Sequence, residues 1–211
     1  MNTEGRNHLE QRLGESLAAP PADDWEQLRD RLTDRATENG LLDVAYASVD
    51  SPVGALLLAA TPAGVVRIAF DNESRDHVLS ELAARVSARV LEAPARLDTP
   101  RRELDEYFTG ARNRFDLHLD WTLTTGFRRE VLTATAAIPY GQTGTYRSVA
   151  TAAGNPRAVR AAGTALATNP IPIIVPCHRV TRTDGALGGY RGGAARKDVL
   201  LHLETGDAKP A

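Results

Sequence analysis

The sequence predicts an α+β fold, with an N-terminal antiparallel-sheet α/β subdomain followed by a mainly helical part that contains a helix-turn-helix. Three observations predict it. Three short β-type runs separated by proline- and glycine-containing turns lie between residues 43 and 70. Beyond residue 122 the apolar residues follow helical spacing, and two short helices flank Gly154-Asn155-Pro156. The charge also changes sign: residues 1–120 carry 14 basic and 22 acidic side chains, net −8, whereas residues 122–205 carry 10 basic and 4 acidic, net +6.

Residues 1–42 form an acidic extension with few large apolar residues, interrupted at Ala19-Pro20-Pro21-Ala22. One or two short helices are expected there, with Asp23 or Asp24 as a cap and Trp25, Leu28 and Leu32 on one side. Residues 43–121 form the α/β subdomain. Val44–Val49, Ala55–Ala60 and Val65–Phe70 read as antiparallel strands in a meander, turning at Ser51-Pro52-Val53-Gly54 and Thr61-Pro62-Ala63-Gly64. Val78, Leu82, Val86 and Val90, four apart, predict a helix over 74–90. Thr99-Pro100 opens another helix through Phe108, and Phe115–Leu119 reads as a further strand.

Residues 122–205 form the second domain, and 206–211 a tail. Gly126–Ile138 is a helix with Phe127, Val131 and Leu132 on one face. Thr145 or Ser148 starts a short helix through Ala153. Pro156 suits the first turn of the next, which runs to Ala167.

At 211 residues, 42% hydrophobic and 25% charged, the chain has the composition of a soluble globular protein. No apolar run approaches the ~18 residues of a membrane span, and Met1–Glu10 lacks the order of a signal peptide. A cytoplasmic location without membrane contact is expected. The single cysteine cannot form an internal disulfide, and the five histidines lack metal-ligand spacing, so no metal site is expected. The basic half is a candidate phosphate-binding surface; two domains of different surface charge would give the same pattern.

The most informative stretch is Asn169-Pro-Ile-Pro-Ile-Ile-Val-Pro-Cys177-His178-Arg179-Val180. Ile171–Val175 is an apolar approach stiffened by Pro172 and Pro176, read as a buried strand that delivers a cysteine beside a histidine. A lone cysteine is often a small buried hydrophobe. A neighbouring histidine and arginine favour the thiolate, which makes Cys177 a candidate nucleophile.

With Thr145-Tyr146, the run Gly154–Gly163, Gly185-Ala-Leu-Gly188-Gly189-Tyr190-Arg191-Gly192-Gly193, Lys197 and Leu200–Glu204, this stretch resembles the O6-alkylguanine-DNA alkyltransferases, or methylated-DNA–protein-cysteine methyltransferases. The resemblance covers about residues 43–205 and is strongest over 126–205. It implies a ribonuclease H-like first subdomain and a winged-helix-like alkyltransferase domain after it. It implies repair of double-stranded DNA containing O6-alkylguanine, extending to O4-alkylthymine, by a monomer. The alkyl group would pass to Cys177 in one turnover, with no cofactor, after the base is flipped out.

The same resemblance assigns roles. Cys177 would accept the alkyl group, His178 would take the thiol proton through a water, and Glu204 would hold that histidine. Asn169 would brace the turn beside the cysteine, and Tyr146 would assist at N3 of the departing guanine. Val180, Gly188, Gly189, Tyr190 and Arg191 would line the base pocket, with Gly192 and Gly193 in the same loop. Arg160 would fill the gap left by the flipped base from a small-residue helix in the minor groove. Arg128, Arg129, Arg147 and Arg157 would reach phosphate. Arg191 stands where the family often has a small residue, so its side chain would narrow the pocket or reach phosphate. The 1–42 extension has no counterpart in the minimal family domain.

Three other functions fit the sequence less well. A non-reactive sensor of alkylated bases would lack the cysteine. A Cys-His-Glu hydrolase needs an oxyanion hole that nothing in the sequence marks. A sequence-specific DNA-binding regulator wants polar side chains on its recognition helix, which here is mostly alanine apart from its arginines.

Overall fold

The computed structural model describes residues 22–206. The Ala19–Pro21 part of the predicted interruption, everything before it, and residues 207–211 of the tail lie outside the described residues. Helix α1 (Ala22–Glu38) is a single helix. It already starts at Ala22, so Asp23 and Asp24 fall within its first turn rather than ahead of it. Trp25, Leu28 and Leu32 share one exposed side, while Thr33 and Ala36 are buried.

Strands β1 (Val44–Val49), β2 (Leu56–Thr61) and β3 (Gly64–Phe70) make the antiparallel meander. The sheet is nevertheless mixed. A short strand β4 (Val90–Glu92) runs parallel to β1, with Val90 opposite Val44, and the order is β3-β2-β1-β4. The predicted 74–90 helix is therefore shorter: α2 (Arg75–Arg85) is capped by the Ser74 side chain and buries Val78 and Leu82. Val90 leaves it for the sheet because Ser87 Oγ and Arg89 Nε both donate to Asp43 Oδ2, at 2.6 and 2.8 Å, turning the chain back beside β1. Spacing alone does not distinguish a fourth helical turn from a short strand.

Helix α3 (Asp98–Phe108) follows, with Leu104 and Tyr107 fully buried. Phe115–Leu119 is not a strand. It meets the sheet only through a bridge to Val65, whose amide donates to His118 O at 2.9 Å.

In the second half, α4 (Gly126–Ala136) ends two residues earlier than predicted. A two-residue strand β5 (Gly144–Thr145) leads into α5 (Tyr146–Ala152), where Thr145 and Ser148 form a capping box. Helix α6 (Val159–Ala167) begins after Pro156, which lies in the turn rather than in the first helical turn. Strand β6 (Val180–Thr181) pairs in parallel with β5, and α7 (Ala194–Thr205) closes the domain. The two halves share one core that runs from Leu58 and Phe70 to Leu132, Ile171 and Leu200. Edge strand β3 is covered by the second half, its Ile68 amide donating to Pro170 O at 2.8 Å. Among the described residues no helix is long and apolar enough to cross a membrane.

Candidate active site

The approach to Cys177 is a buried turn rather than the expected strand. Pro172 and Val175 bridge one another around Ile173, which takes a left-handed φ of 76°. For a β-branched residue that conformation costs of order 1–3 kcal/mol and persists only where the surroundings impose it. Ile173 is fully buried, and Asn169 ties the turn from inside. Asn169 Oδ1 accepts from Ile171 N at 3.0 Å, and its Nδ2 donates to Val175 O at 2.9 Å and to Cys177 Sγ at 3.2 Å. Cys177, His178 and Arg179 then form a 3₁₀ turn, which sends successive side chains in different directions.

His178 points at Glu204. Its Nε2 lies 2.8 Å from Glu204 Oε1, and its buried Nδ1 bonds no protein atom. The carboxylate also receives Arg179 Nε at 2.8 Å, Arg179 Nη2 at 2.9 Å, the Gly141 amide at 3.2 Å and the Tyr107 hydroxyl at 2.6 Å. Burial would raise the Glu204 pKa, but the hydrogen bonds from His178 and Arg179 outweigh it and hold the carboxyl at about 2. An ionised carboxylate can only accept, so Nε2 carries the imidazole proton and Nδ1 keeps a lone pair. Burial keeps the His178 pKa below its ordinary value, so the ring is neutral at neutral pH.

The sulfur behaves differently from the sequence expectation. Burial pushes the Cys177 thiol up to about 11, against the opposing Asn169 hydrogen bond and the Lys197 charge. Arg179 does not favour a thiolate here, because its guanidinium is bound to Glu204 and to Ile138 O. At neutral pH only ~10⁻⁴ of the sulfur would be ionised on its own.

Tyr146 begins α5, directly after the strand that pairs with β6, and is held beside the segment following the cysteine. The Gly189 amide lies at its hydroxyl, and a thiolate at Cys177 would raise its pKa further beyond what burial does. Gly188 has φ 69°, and a Cβ there would sit 2.5 Å from the Tyr146 hydroxyl, so glycine is required on both counts. Tyr190 packs edge-on to Phe70 at 5.6 Å and to His178 at 6.3 Å, with its hydroxyl buried and unpartnered by protein. Val180 is buried, and its carbonyl accepts from Lys197 Nζ at 2.6 Å. The Arg191 side chain neither fills the pocket nor stands free for phosphate: it is bonded to Glu73 of the first domain.

Of the candidate DNA-contacting residues, Arg160, Arg157, Arg147 and Arg129 are exposed, and none of them makes a salt bridge among the described residues. Arg160, Ala161, Thr164 and Ala167 form the outer face of α6, with Ala162, Ala165 and Leu166 inside. Arg128 is different. It is half-buried and donates through Nη2 to Thr168 O at the end of α6, which ties α4 to α6.

Three residues at the site make contacts that their sequence neighbours do not mark. Arg179, next to the cysteine and histidine in sequence, gives its guanidinium to Glu204. Lys197, fully buried, anchors both Val180 O and Leu187 O and so joins β6 to the loop around Gly188. Tyr107 comes from the first domain, and no local pattern marks it. Among the described residues no group of three His, Cys, Asp or Glu side chains could hold a metal.

Two family profiles match the chain. The 6-O-methylguanine DNA methyltransferase ribonuclease-like domain matches residues 44–121, and the DNA-binding domain of the same family matches residues 126–206. A methylated-DNA–protein-cysteine methyltransferase of Methanosarcina barkeri is 38% identical over 159 residues, covering 75% of this chain and 96% of its own. One from Mycolicibacterium paratuberculosis is 40% identical over 170 residues, covering 76% and 92%. The crystal structure of Mycobacterium tuberculosis OGT in complex with DNA superposes with a TM-score of 0.67 at 37% identity, covering 78% of this chain and 94% of that one.

Proposed function

The chain belongs to the 6-O-methylguanine DNA methyltransferase family, and on that premise we propose that it repairs double-stranded DNA by moving the alkyl group of O6-alkylguanine onto Cys177. The observation that carries this reading is the buried series Asn169–Cys177 and His178–Glu204. It combines a thiol that is not ionised by itself with a neutral imidazole whose free nitrogen is available as a base.

The chemistry balances as a displacement at carbon. Cys177 Sγ attacks the alkyl carbon, the S–C bond forms as the C–O6 bond breaks, and the bonding pair remains on guanine as its C6 carbonyl. The thiol proton passes through a water to His178, whose imidazolium is stabilised by ionised Glu204. Tyr146 supplies a proton or hydrogen bond to N3, so the base leaves as neutral guanine. The thioether has no return route, so each chain reacts once. O4-alkylthymine presents the same alkoxy carbon and belongs to the same substrate class.

The alkyl group inside a duplex is out of reach of a buried sulfur, so the base must leave the stack. We assign Arg160, central on the exposed small-residue face of α6, to the vacated space, and Arg147, Arg157 and Arg129 to phosphate. Residues 43–121 and 122–205 are read as the two domains of this machine, with 1–42 an extension and 206–211 a tail.

The test is intact-protein mass spectrometry after exposure to duplex DNA containing O6-methylguanine. A gain of one methyl per chain, mapped to Cys177 and missing in Cys177→Ala, is expected. More than one turnover per chain, or a methyl mapped elsewhere, would overturn the reading.

A further inference from the structure

The loop from Gly185 to Gly193 forms one wall of the proposed base pocket, and it has little regular structure of its own. Gly185 and Gly193 at its two ends have left-handed φ values of 82° and 89°, conformations that glycine adopts without strain. Against Tyr146 the wall already stands at contact distance, since one added carbon at Gly188 would lie 2.5 Å from the hydroxyl. More room for an alkyl group therefore requires the wall to move as a body.

A charged tether opposes that movement. Arg191 donates to Glu73 Oε2 from Nε at 2.8 Å and from Nη2 at 2.5 Å. The same oxygen receives Arg67 Nη2 at 2.5 Å, and Phe70 N donates to Glu73 Oε1 at 3.2 Å. Arg67 is almost fully buried and in turn donates to Ile68 O at 2.6 Å and Pro170 O at 3.4 Å. Pro170 follows Asn169, the residue bonded to the sulfur. Glu73 thus joins the 185–193 wall of the pocket to the turn that presents Cys177, with Asn72 Nδ2 adding a bond to Arg191 O at 3.1 Å.

We infer that the Arg191–Glu73 pair is a specificity-determining latch: it holds the 185–193 loop against the first domain and restricts Cys177 to small alkyl groups. Arg191 and Glu73 are positioning residues, acting through the wall rather than on the reacting atoms. The inference rests on the alkyl-transfer reading above.

The experiment compares single-turnover rate constants on duplex DNA containing O6-methylguanine with those on the same duplex containing O6-benzylguanine. It uses the full chain and its Arg191→Ala, Arg191→Lys and Glu73→Gln variants, each first checked by thermal melting. The benzyl-to-methyl ratio should rise about tenfold in Arg191→Ala and in Glu73→Gln, the size of effect expected when a pocket wall is displaced. Arg191→Lys, which keeps one charged contact, should stay close to the parent ratio. An unchanged ratio, or both rates falling together, would overturn the latch. A rise in Arg191→Ala alone, with Glu73→Gln folded and at the parent ratio, would also overturn it, because side-chain bulk and not the tether would then set the limit. If Glu73→Gln does not fold, Arg191→Lys decides, and a ratio like that of Arg191→Ala overturns the pair. A parent protein that gains no methyl from either duplex would refute the alkyl-transfer reading itself, separately from the latch.

Discussion

The hydroxyl of Tyr107 donates a 2.6 Å hydrogen bond to Oε1 of Glu204, joining residues 97 positions apart. The carboxylate that orients His178 is therefore held from both halves of the chain. The sheet-bearing half contributes directly to the electrostatics around His178, the base proposed for the sulfur's proton, and is more than a platform for the second half.

Tyr107→Phe tests this connection with the packing nearly preserved. It removes one donor from an ionised, buried acceptor, an interaction worth about 1.5–3 kcal/mol. Urea denaturation should show a loss of that order, and single-turnover methyl transfer should slow by roughly threefold to tenfold. Transfer at the parent rate would mean that Arg179 and Gly141 suffice to hold Glu204.

The transfer rate should have an acid limb set by His178. Its folded pKa lies below the ordinary 6.5, so the neutral base persists through neutrality and is lost only in more acidic solution. Stability follows the same direction. In the unfolded chain His178 protonates near 6.5, so its contribution is complete above that pH and declines as pH falls below it. The Glu204 contribution, complete above 4.5, is lost as pH falls toward 2. A pH series of single-turnover rates would contradict this account if the rate fell by half at or above pH 6.5.

Alkaline solution should destabilise the protein through Cys177. The thiol pKa is raised from 9.0 to about 11, so its contribution is complete below 9 and is lost as pH rises toward 11. That amounts to about 1 kcal/mol by pH 10 and about 3 kcal/mol in full. Denaturation at pH 7.5 and pH 10 should show this decrement in the parent chain in excess of any shown by Cys177→Ala. Equal decrements in both would place the sulfur in a less buried setting.

Arg160→Ala should slow repair of a duplex by about tenfold or more, because it removes a side chain assigned to the gap in the stack. Reaction with free O6-benzylguanine base, which needs no flipping, should change far less. Equal loss on both substrates would remove Arg160 from that role.

Deletion of residues 1–42 should leave methyl transfer within about threefold while lowering the melting midpoint by several degrees, because Thr33 and Ala36 lie against the body of the protein. A truncated chain that is folded but inert would give the extension a part in the reaction.

What the sequence determined by itself is local. The Thr145–Ser148 capping box, the strand runs of 44–70 and the order Asn169-Pro…Pro-Cys-His-Arg depend on neighbouring residues, so periodicity, turn chemistry and family resemblance reach them. Tertiary structure decided whatever depends on a partner distant in the chain. It turned Val90 from helix to strand through Asp43, and the path to Cys177 from strand to a turn held by Asn169. It gave Arg128 and Arg191 partners distant in the chain, Thr168 and Glu73. It also reversed the expected state of the sulfur. Charge adjacent in sequence suggested a thiolate, but Arg179 is taken by Glu204, and burial, which no single residue encodes, keeps Cys177 protonated at neutral pH.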